Sequence, residues 1–274
     1  MLNFLKKKIE KMKSKRSLNE YGFQIKSFNL TQDGKIDYAQ WLHPFEQPKI
    51  ISQSMVNFYK KYTKNGSLVI DIGAHTGDTT VPMSIAIGKN GTVLALEPNP
   101  YVFKILVKNA ELNKDKTNIL PLNFAATDSD GEFEFNYSDA SYCNGGFFQK
   151  IQNKNHGHKY ALKVNGKNLE KYLLDNYSSI LNTISLIKVD AEGYDKEILK
   201  SIKPILVKFK PNIISECNKN LTVEERTELF EILNTIGYNL YKLEEFDENY
   251  KTTTIANSSE MSKWQHFDLI AISK

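Results

Sequence analysis

From residue 66 onward the chain alternates short β-branched runs with segments of helical periodicity. That alternation narrows the available folds more than any other feature. The stretches "SLVIDIGA" (67–74), "GTVLALEPN" (91–99), "NILPLNFAATD" (118–128), "ISLIKVDAEG" (184–193) and "PNIISECN" (211–218) read as strands. "TGDTTVPMSIAIG", "PYVFKILVKNAELN", "KNLEKYLLDNY", "DKEILKSIKPILVKF" and "TVEERTELFEILNTIG" read as helices, the last with Thr222 as N-cap and Gly237 just past its end. Strand–helix alternation implies right-handed crossovers and a parallel sheet covered on both faces. The last two runs, "YNLYKLEE" and "HFDLIAISK", have no helix between them and should form an antiparallel pair at one edge. The expected fold class is therefore α/β, with a mostly parallel seven-stranded sheet and an antiparallel C-terminal strand pair.

Residues 66–274 carry this pattern, and residues 1–65 read as a basic leader and helical extension packed on it. Residues 1–16 hold seven Lys or Arg and one Glu, a net of +6, whereas the whole chain is +4, so residues 17–274 sum to −2. A near-neutral body argues against a nucleic-acid groove. The leader is either a solvated basic helix or a peripheral contact with an anionic membrane or partner. No apolar stretch is long enough to span a bilayer, and the leader lacks the apolar core of a secretory signal. The two cysteines, Cys143 and Cys217, are far apart and suggest neither a disulfide framework nor zinc, which fits a reducing cytoplasm. Nothing in the sequence speaks to oligomeric state. Two long loops, 139–159 and 245–265, are expected to be lids or disordered, and "WLHPFEQPK" (41–49) is a candidate cleft wall.

"VIDIGAHTGDTT" places Asp71, Gly73 and Gly77 between the first strand and its helix. Ligands of open parallel sheets bind beyond the carboxyl ends of the strands. The spacing is G-x-x-x-G rather than the G-x-G-x-x-G of dinucleotide folds, and a carboxylate beside the turn suits a cationic group better than a pyrophosphate. The second strand ends in Glu97, Pro98 and Asn99, where an acid can accept from both hydroxyls of a ribose. Together Asp71 and Glu97 favour S-adenosylmethionine over NAD.

With these residues in place the chain resembles the FkbM family of class I S-adenosylmethionine-dependent methyltransferases. The resemblance rests on "VIDIGAHTGDTT", "VLALEPNPYVFKILVKNAELN", "NFAATDSDGEFEF", "LIKVDAEGYDKEILK" and "PNIISECN", in that order over roughly 66–218. It implies a Rossmann-like class I methyltransferase fold. It implies that the turn Gly73, Ala74, His75, Gly77 and Asp78 cradles the methionine and ribose end of the cofactor. Asp71 would help hold the ammonium, directly or through water. Glu97, with Pro98 and Asn99, would take the ribose hydroxyls, and Ala125 and Asp128 would border the adenine. His75 departs from the asparagine common in the family, and a polar turn role is the reading favoured for it.

"LIKVDAEG" ends a buried run in Asp190 and Glu192, at i and i+2, and the next strand ends in Glu216. If the strand continues that far, Asp190 and Glu192 share a face, and if the two strands are neighbours all three carboxylates meet at one rim. Methyl transfer needs an aligned acceptor, excluded water and a proton acceptor. Asp190 is the first candidate for base or orienter, with Glu192 and Glu216 supporting. The same three acids would be the ligands if Mg²⁺ is used, a point the sequence leaves open. In the 139–159 loop the aromatics Tyr142, Phe147 and Phe148 with Gly145 and Gly146 suit a lid, while His156 and His158 read as solvated loop histidines, the alternative being a base or metal ligands. The expected activity is O-methylation of a saccharide, glycan precursor or related natural product. The alternatives are N-methylation of an amino sugar or modified amino acid, and a non-catalytic module that keeps the fold.

Overall fold

The computed structural model describes residues 2–14, 18–137, 145–146 and 160–273. The leader forms α1 (Leu2–Ser14). An antiparallel hairpin follows, β1 (Phe23–Leu30) and β2 (Gly34–Trp41), and then α2 (Gln53–Tyr62), capped by the Ser52 hydroxyl on the Met55 amide. The helical extension expected over 1–65 is thus corrected in its middle. The turn between the strands closes at Gly34, which takes the left-handed φ of +76° that favours glycine. Leu30, Ile36, Tyr38, Phe58 and Tyr59 share a buried cluster with Val69 and Val93.

The alternation continues as β3 (Leu68–Ile72), α3 (Thr80–Ile87), β4 (Thr92–Leu96), α4 (Pro100–Leu112) and β5 (Ile119–Leu122). Run 118–128, expected as one strand, is split. Asn123 donates to the Glu97 and Pro98 carbonyls and turns the chain out of the sheet. Its second half, β6 (Ala125–Thr127), joins a separate sheet with β7 (Gly131–Tyr137), β8 (Gly145–Gly146) and β9 (Tyr160–Asn168). Then come α5 (Leu169–Tyr177), β10 (Ile184–Val189), α6 (Asp195–Ser201), α7 (Lys203–Phe209) and β11 (Asn212–Cys217). The pair α6 and α7 was expected as one helix. Pro204 lacks an amide to donate and starts a new helix instead. The chain closes with α8 (Val223–Asn234), β12 (Tyr238–Leu243), β13 (Thr252–Ile255) and β14 (Phe267–Ser273).

The main sheet runs β13-β12-β14-β11-β10-β3-β4-β5. From β11 to β5 all pairs are parallel, while β14 is antiparallel to both β11 and β12. In chain order the parallel strands read 3-2-1-4-5, the doubly wound arrangement whose order reverses between β3 and β10. The sheet has eight strands rather than seven. The extra one, β13, pairs along β12 within the stretch expected as a loop. That stretch is no lid, since Phe246 and Tyr250 pack edge-on against the Phe58 ring.

Candidate active site

The reversal point brings the end of β3 against the end of β10. Gly73 has φ +78°, and a Cβ there would stand 1.9 Å from the Asp190 carbonyl oxygen. The glycine is required by the neighbouring chain segment, before any ligand is considered. Gly77, at φ +92°, is left-handed as well. His75 adopts the same region at φ +49°, where Asn is among the few favoured side chains. The position is thus a turn position, and its amide donates to Glu97 Oε2 at 3.0 Å.

Glu97 is fixed twice, because Oε1 also accepts from the Asn99 amide at 2.8 Å. Burial pushes its carboxyl up to about 7, against the pull of those two amides. Asn99 caps α4 on the Tyr101 amide.

Strand β10 ends at Val189, and the chain then turns through Glu192 at φ +52° and Gly193 at φ +97°. Asp190 and Glu192 therefore do not share a strand face, which corrects the i, i+2 expectation. The cause is Asp195, a fully buried carboxylate. It accepts from the Ala191 and Gly193 amides through one oxygen, and from the Ser215 hydroxyl and the Glu216 amide through the other. Beneath the turn lies Lys188, also buried, with its ammonium 3.1 Å from Asp190 Oδ2 and 3.7 Å from Asp71 Oδ1. Asp71 has no surface in the cleft, and the Thr79 and Thr80 hydroxyls hold its other oxygen. Direct contact with a ligand ammonium is not open to it, because a lysine of this chain lies beside that oxygen.

Glu216 lies on the adjacent strand but turns aside. Its Oε2 accepts from Asn218 at 2.7 Å, and Oε1 is 3.4 Å from His266 Nε2. Burial, then the charges of Asp190 and Glu192, raise its carboxyl to about 7. Glu192 is raised by burial and by Asp190, although its side chain reaches solvent. Among the described residues no three His, Cys, Asp or Glu side chains gather closely enough to share a metal ion. The Asp190–Glu192–Glu216 set, which the sequence left open as ligands for Mg²⁺, is not gathered here, since one acid is tied to Lys188 and another to Asn218.

A cleft opens above these residues in two lobes. The first is mostly apolar, with Leu96, Phe124, Ala125, Phe135 and Ile198 in its wall and Pro98 at its edge. The second is the larger and more polar and includes His75, Asp78, Thr79, Asn99 and Lys188. Gly73, Glu97, Tyr137, Asp190 and Glu192 line both. The far wall of the polar lobe is the 41–49 segment, with Phe45, Glu46, Gln47 and Lys49. Lys49 Nζ lies 2.8 Å from Asp78 Oδ2 and 3.5 Å from Glu46 Oε1. Burial is the largest single influence on Asp78 and would raise it, but the Lys49 ammonium together with His75 and Lys188 holds the acid below its usual range. Glu46 Oε1 accepts no hydrogen bond, and burial raises Glu46 to about 7.

Not every expected residue reaches the cleft. Asp128 is exposed past β6, outside both lobes, where it accepts from the Ser129 hydroxyl. Tyr142, Phe147, Phe148, His156, His158 and Cys143 lie outside the described residues. Glu46 and Lys49 lie in the 41–49 stretch expected as a cleft wall, though neither was named individually, and Lys188, Asp195 and His266 were not singled out in the sequence. Of these three, Lys188, inside "LIKVD", carried a usable signal: a lone cation in a buried strand needs a partner.

The family model described as "Methyltransferase FkbM domain" matches residues 71–246. A curated relative, tRNA(Phe) (4-demethylwyosine(37)-C(7)) aminocarboxypropyltransferase of Pyrococcus horikoshii, is 38% identical over 72 residues, 26% of this chain and 25% of the relative. The chain thus spans about a quarter of that relative's length. Among solved structures, a precorrin-6y C5,15-methyltransferase from Geobacter metallireducens is similar with TM-score 0.43 and 15% identity, covering 83% of this chain and 93% of that one. A SAM-dependent O-methyltransferase from Thermotoga maritima gives TM-score 0.41 and 11% identity, covering 92% and 79%.

Proposed function

Because the chain belongs to the family of methyltransferase FkbM domains, we propose that it transfers a methyl group from S-adenosylmethionine to a hydroxyl of a saccharide, glycan precursor or related natural product. One observation carries the cofactor part of this reading. At the reversal point an apolar lobe and a polar lobe open into each other around Gly73, Glu97 and Asp190. A nucleoside joined through sulfur to an amino acid divides in the same way.

The residues fit that group. Phe124, Ala125 and Phe135 offer an apolar slot for an uncharged base. The Glu97 oxygens each accept one amide and keep a lone pair for ribose hydroxyls. From the turn, Gly73, His75 and Asp78 line the polar lobe, where the amino-acid end belongs, while Ala74 and Gly77 shape the turn from behind it. When bound, the cofactor supplies an electrophilic methyl on a cationic sulfur. Carboxylates at the rim favour that charge. Asp190, steadied by Lys188, orients the acceptor hydroxyl and takes its proton. Glu192 and Glu216 support it by adding negative charge nearby. The saccharide acceptor rests on the family resemblance. A second reading, transfer to an amine, is favoured by the lining of the polar lobe. There Glu46, Asp78, Glu97, Asp190 and Glu192 face only Lys49 and Lys188. We place the protein in the cytoplasm on its cysteines, of which Cys217 is a free buried thiol. Among the described residues no helix is long and apolar enough to cross a membrane.

The test is transfer from cofactor with a labelled methyl group to saccharides that bear hydroxyls only or hydroxyls plus an amine. Labelled saccharide with S-adenosylhomocysteine as co-product, lost in Asp190→Asn, supports the reading. Label on nitrogen alone selects the amine. Release of 5′-methylthioadenosine instead would mean that the aminocarboxypropyl group moves, as in the relative's name. Homocysteine-cofactor binding without transfer to any acceptor would favour the non-catalytic module.

A further inference from the structure

Helix α1 is amphipathic, and in its second half the large apolar side chains Ile9 and Met12 do not face the protein. On the side that meets the body, Ser14 is buried and the Lys11 ammonium sits 5.0 Å over the Phe45 ring. Ile9 and Met12, one turn apart, are 50% and 52% exposed. In sequence, Leu2 and Leu5 continue the same 3.6-residue spacing toward the N-terminus. A core-seeking helix would turn such a stripe inward, where burial stabilises it. Over the described side chains, residues 8–14, Lys11 and Ser14 face inward while Ile9 and Met12 face out.

Two further observations describe what the stripe meets. Residues 1–16 carry seven Lys or Arg against one Glu, so the stripe sits in a strongly positive segment. Of the eleven large hydrophobic residues that stand exposed among the described residues, seven lie in the first 50: Ile9, Met12, Leu18, Phe23, Ile25, Leu42 and Ile50. The apolar exposure and the positive charge are concentrated in the same part of the chain. A nucleic acid would use the charge but not the aliphatic stripe. A second copy of this chain would bring its own positive leader against the first. An anionic lipid surface uses both features: aliphatic side chains enter the acyl boundary while lysines stay among the head groups.

We propose that α1 is a membrane-surface helix that docks this protein on anionic lipid. Helix α1 touches Phe45, and Phe45 lines the polar lobe, so docking would bring the mouth of the cleft close to the lipid surface. This inference does not depend on the reaction catalysed.

The test is co-sedimentation of the full chain with vesicles of phosphatidylglycerol and phosphatidylcholine in equal parts, and with phosphatidylcholine alone. The chain should pellet with the mixed vesicles, not with the neutral ones, and less as salt rises. Ile9→Asp with Met12→Asp should abolish pelleting, and Lys8→Gln should weaken it about five-fold. S-adenosylhomocysteine affinity, measured on the same variants, should not move, which separates docking from misfolding. No pelleting of the wild-type chain on mixed vesicles overturns the proposal. So does unchanged pelleting of the Asp double variant. Light scattering that shows a dimer which the double variant dissolves, without vesicle binding, would make the stripe a self-interface and likewise overturn it.

Discussion

The two walls of the cleft are built differently. The wall at the ends of β3, β4 and β10 is held by backbone. Glu97 is clamped by two amides, Gly73 lies against a carbonyl, and the 190–193 turn hangs on the buried Asp195. The wall at 41–49 meets the cleft through side chains. Lys49 bridges Asp78 and Glu46, and Glu46 keeps an oxygen without a hydrogen bond. Backbone clamps leave one geometry. Ion pairs between partly exposed side chains can exchange partners at little cost. The first wall therefore suits an invariant cofactor and the second a ligand whose arrival rearranges it.

The largest test of this contrast is Lys188→Met. It strands the Asp71 carboxylate in the interior, which should cost about 3–5 kcal/mol of stability by denaturant titration. If the loss is under about 1 kcal/mol, as at an exposed pair, the buried ion pair is not what holds the first wall. Gly73→Ala comes next, at about 3 kcal/mol, because its Cβ would meet Asp190 backbone that cannot retreat. Glu97→Gln should fold normally yet weaken S-adenosylhomocysteine binding about tenfold to a hundredfold. Lys49→Ala should change stability by at most about 1 kcal/mol, since Lys49 and Asp78 are each about a quarter exposed and the buried Glu46, already raised to about 7, can take up a proton. A large loss there would erase the distinction between the walls.

A pH prediction sharpens the first wall. Glu97 titrates near 7 in the folded chain, above its ordinary value of 4.5. Its contribution to stability is therefore complete below about 4.5 and is lost as pH rises through about 7. Cofactor binding runs the other way, because ribose hydroxyls need the ionised acceptor. Affinity should climb to a plateau above about 7, and Glu97→Gln should flatten the climb.

The sheet was legible because each buried strand was a continuous apolar run and each helix had its own period. The glycine turn and the strand-end acids were legible because they follow those strands directly. What escaped depends on distant partners. The split after β5 rests on Asn123 reaching the Glu97 and Pro98 carbonyls. The displacement of Asp71 from the cleft rests on Lys188, far along the chain. Glu46 and Lys49 face Asp78 only because the hairpin β1–β2 carries the 41–49 segment over the sheet edge. The hairpin escaped as well, although the polar "TQDG" turn carried a local signal for it.

The measurement closest to the central claim is calorimetric titration of the purified chain with S-adenosylhomocysteine, repeated with NAD and with Glu97→Gln. The account predicts one site per chain for the homocysteine cofactor, no heat with NAD, and binding at least about tenfold weaker in the variant. Absence of homocysteine-cofactor binding, or an affinity untouched by the loss of Glu97, would contradict it.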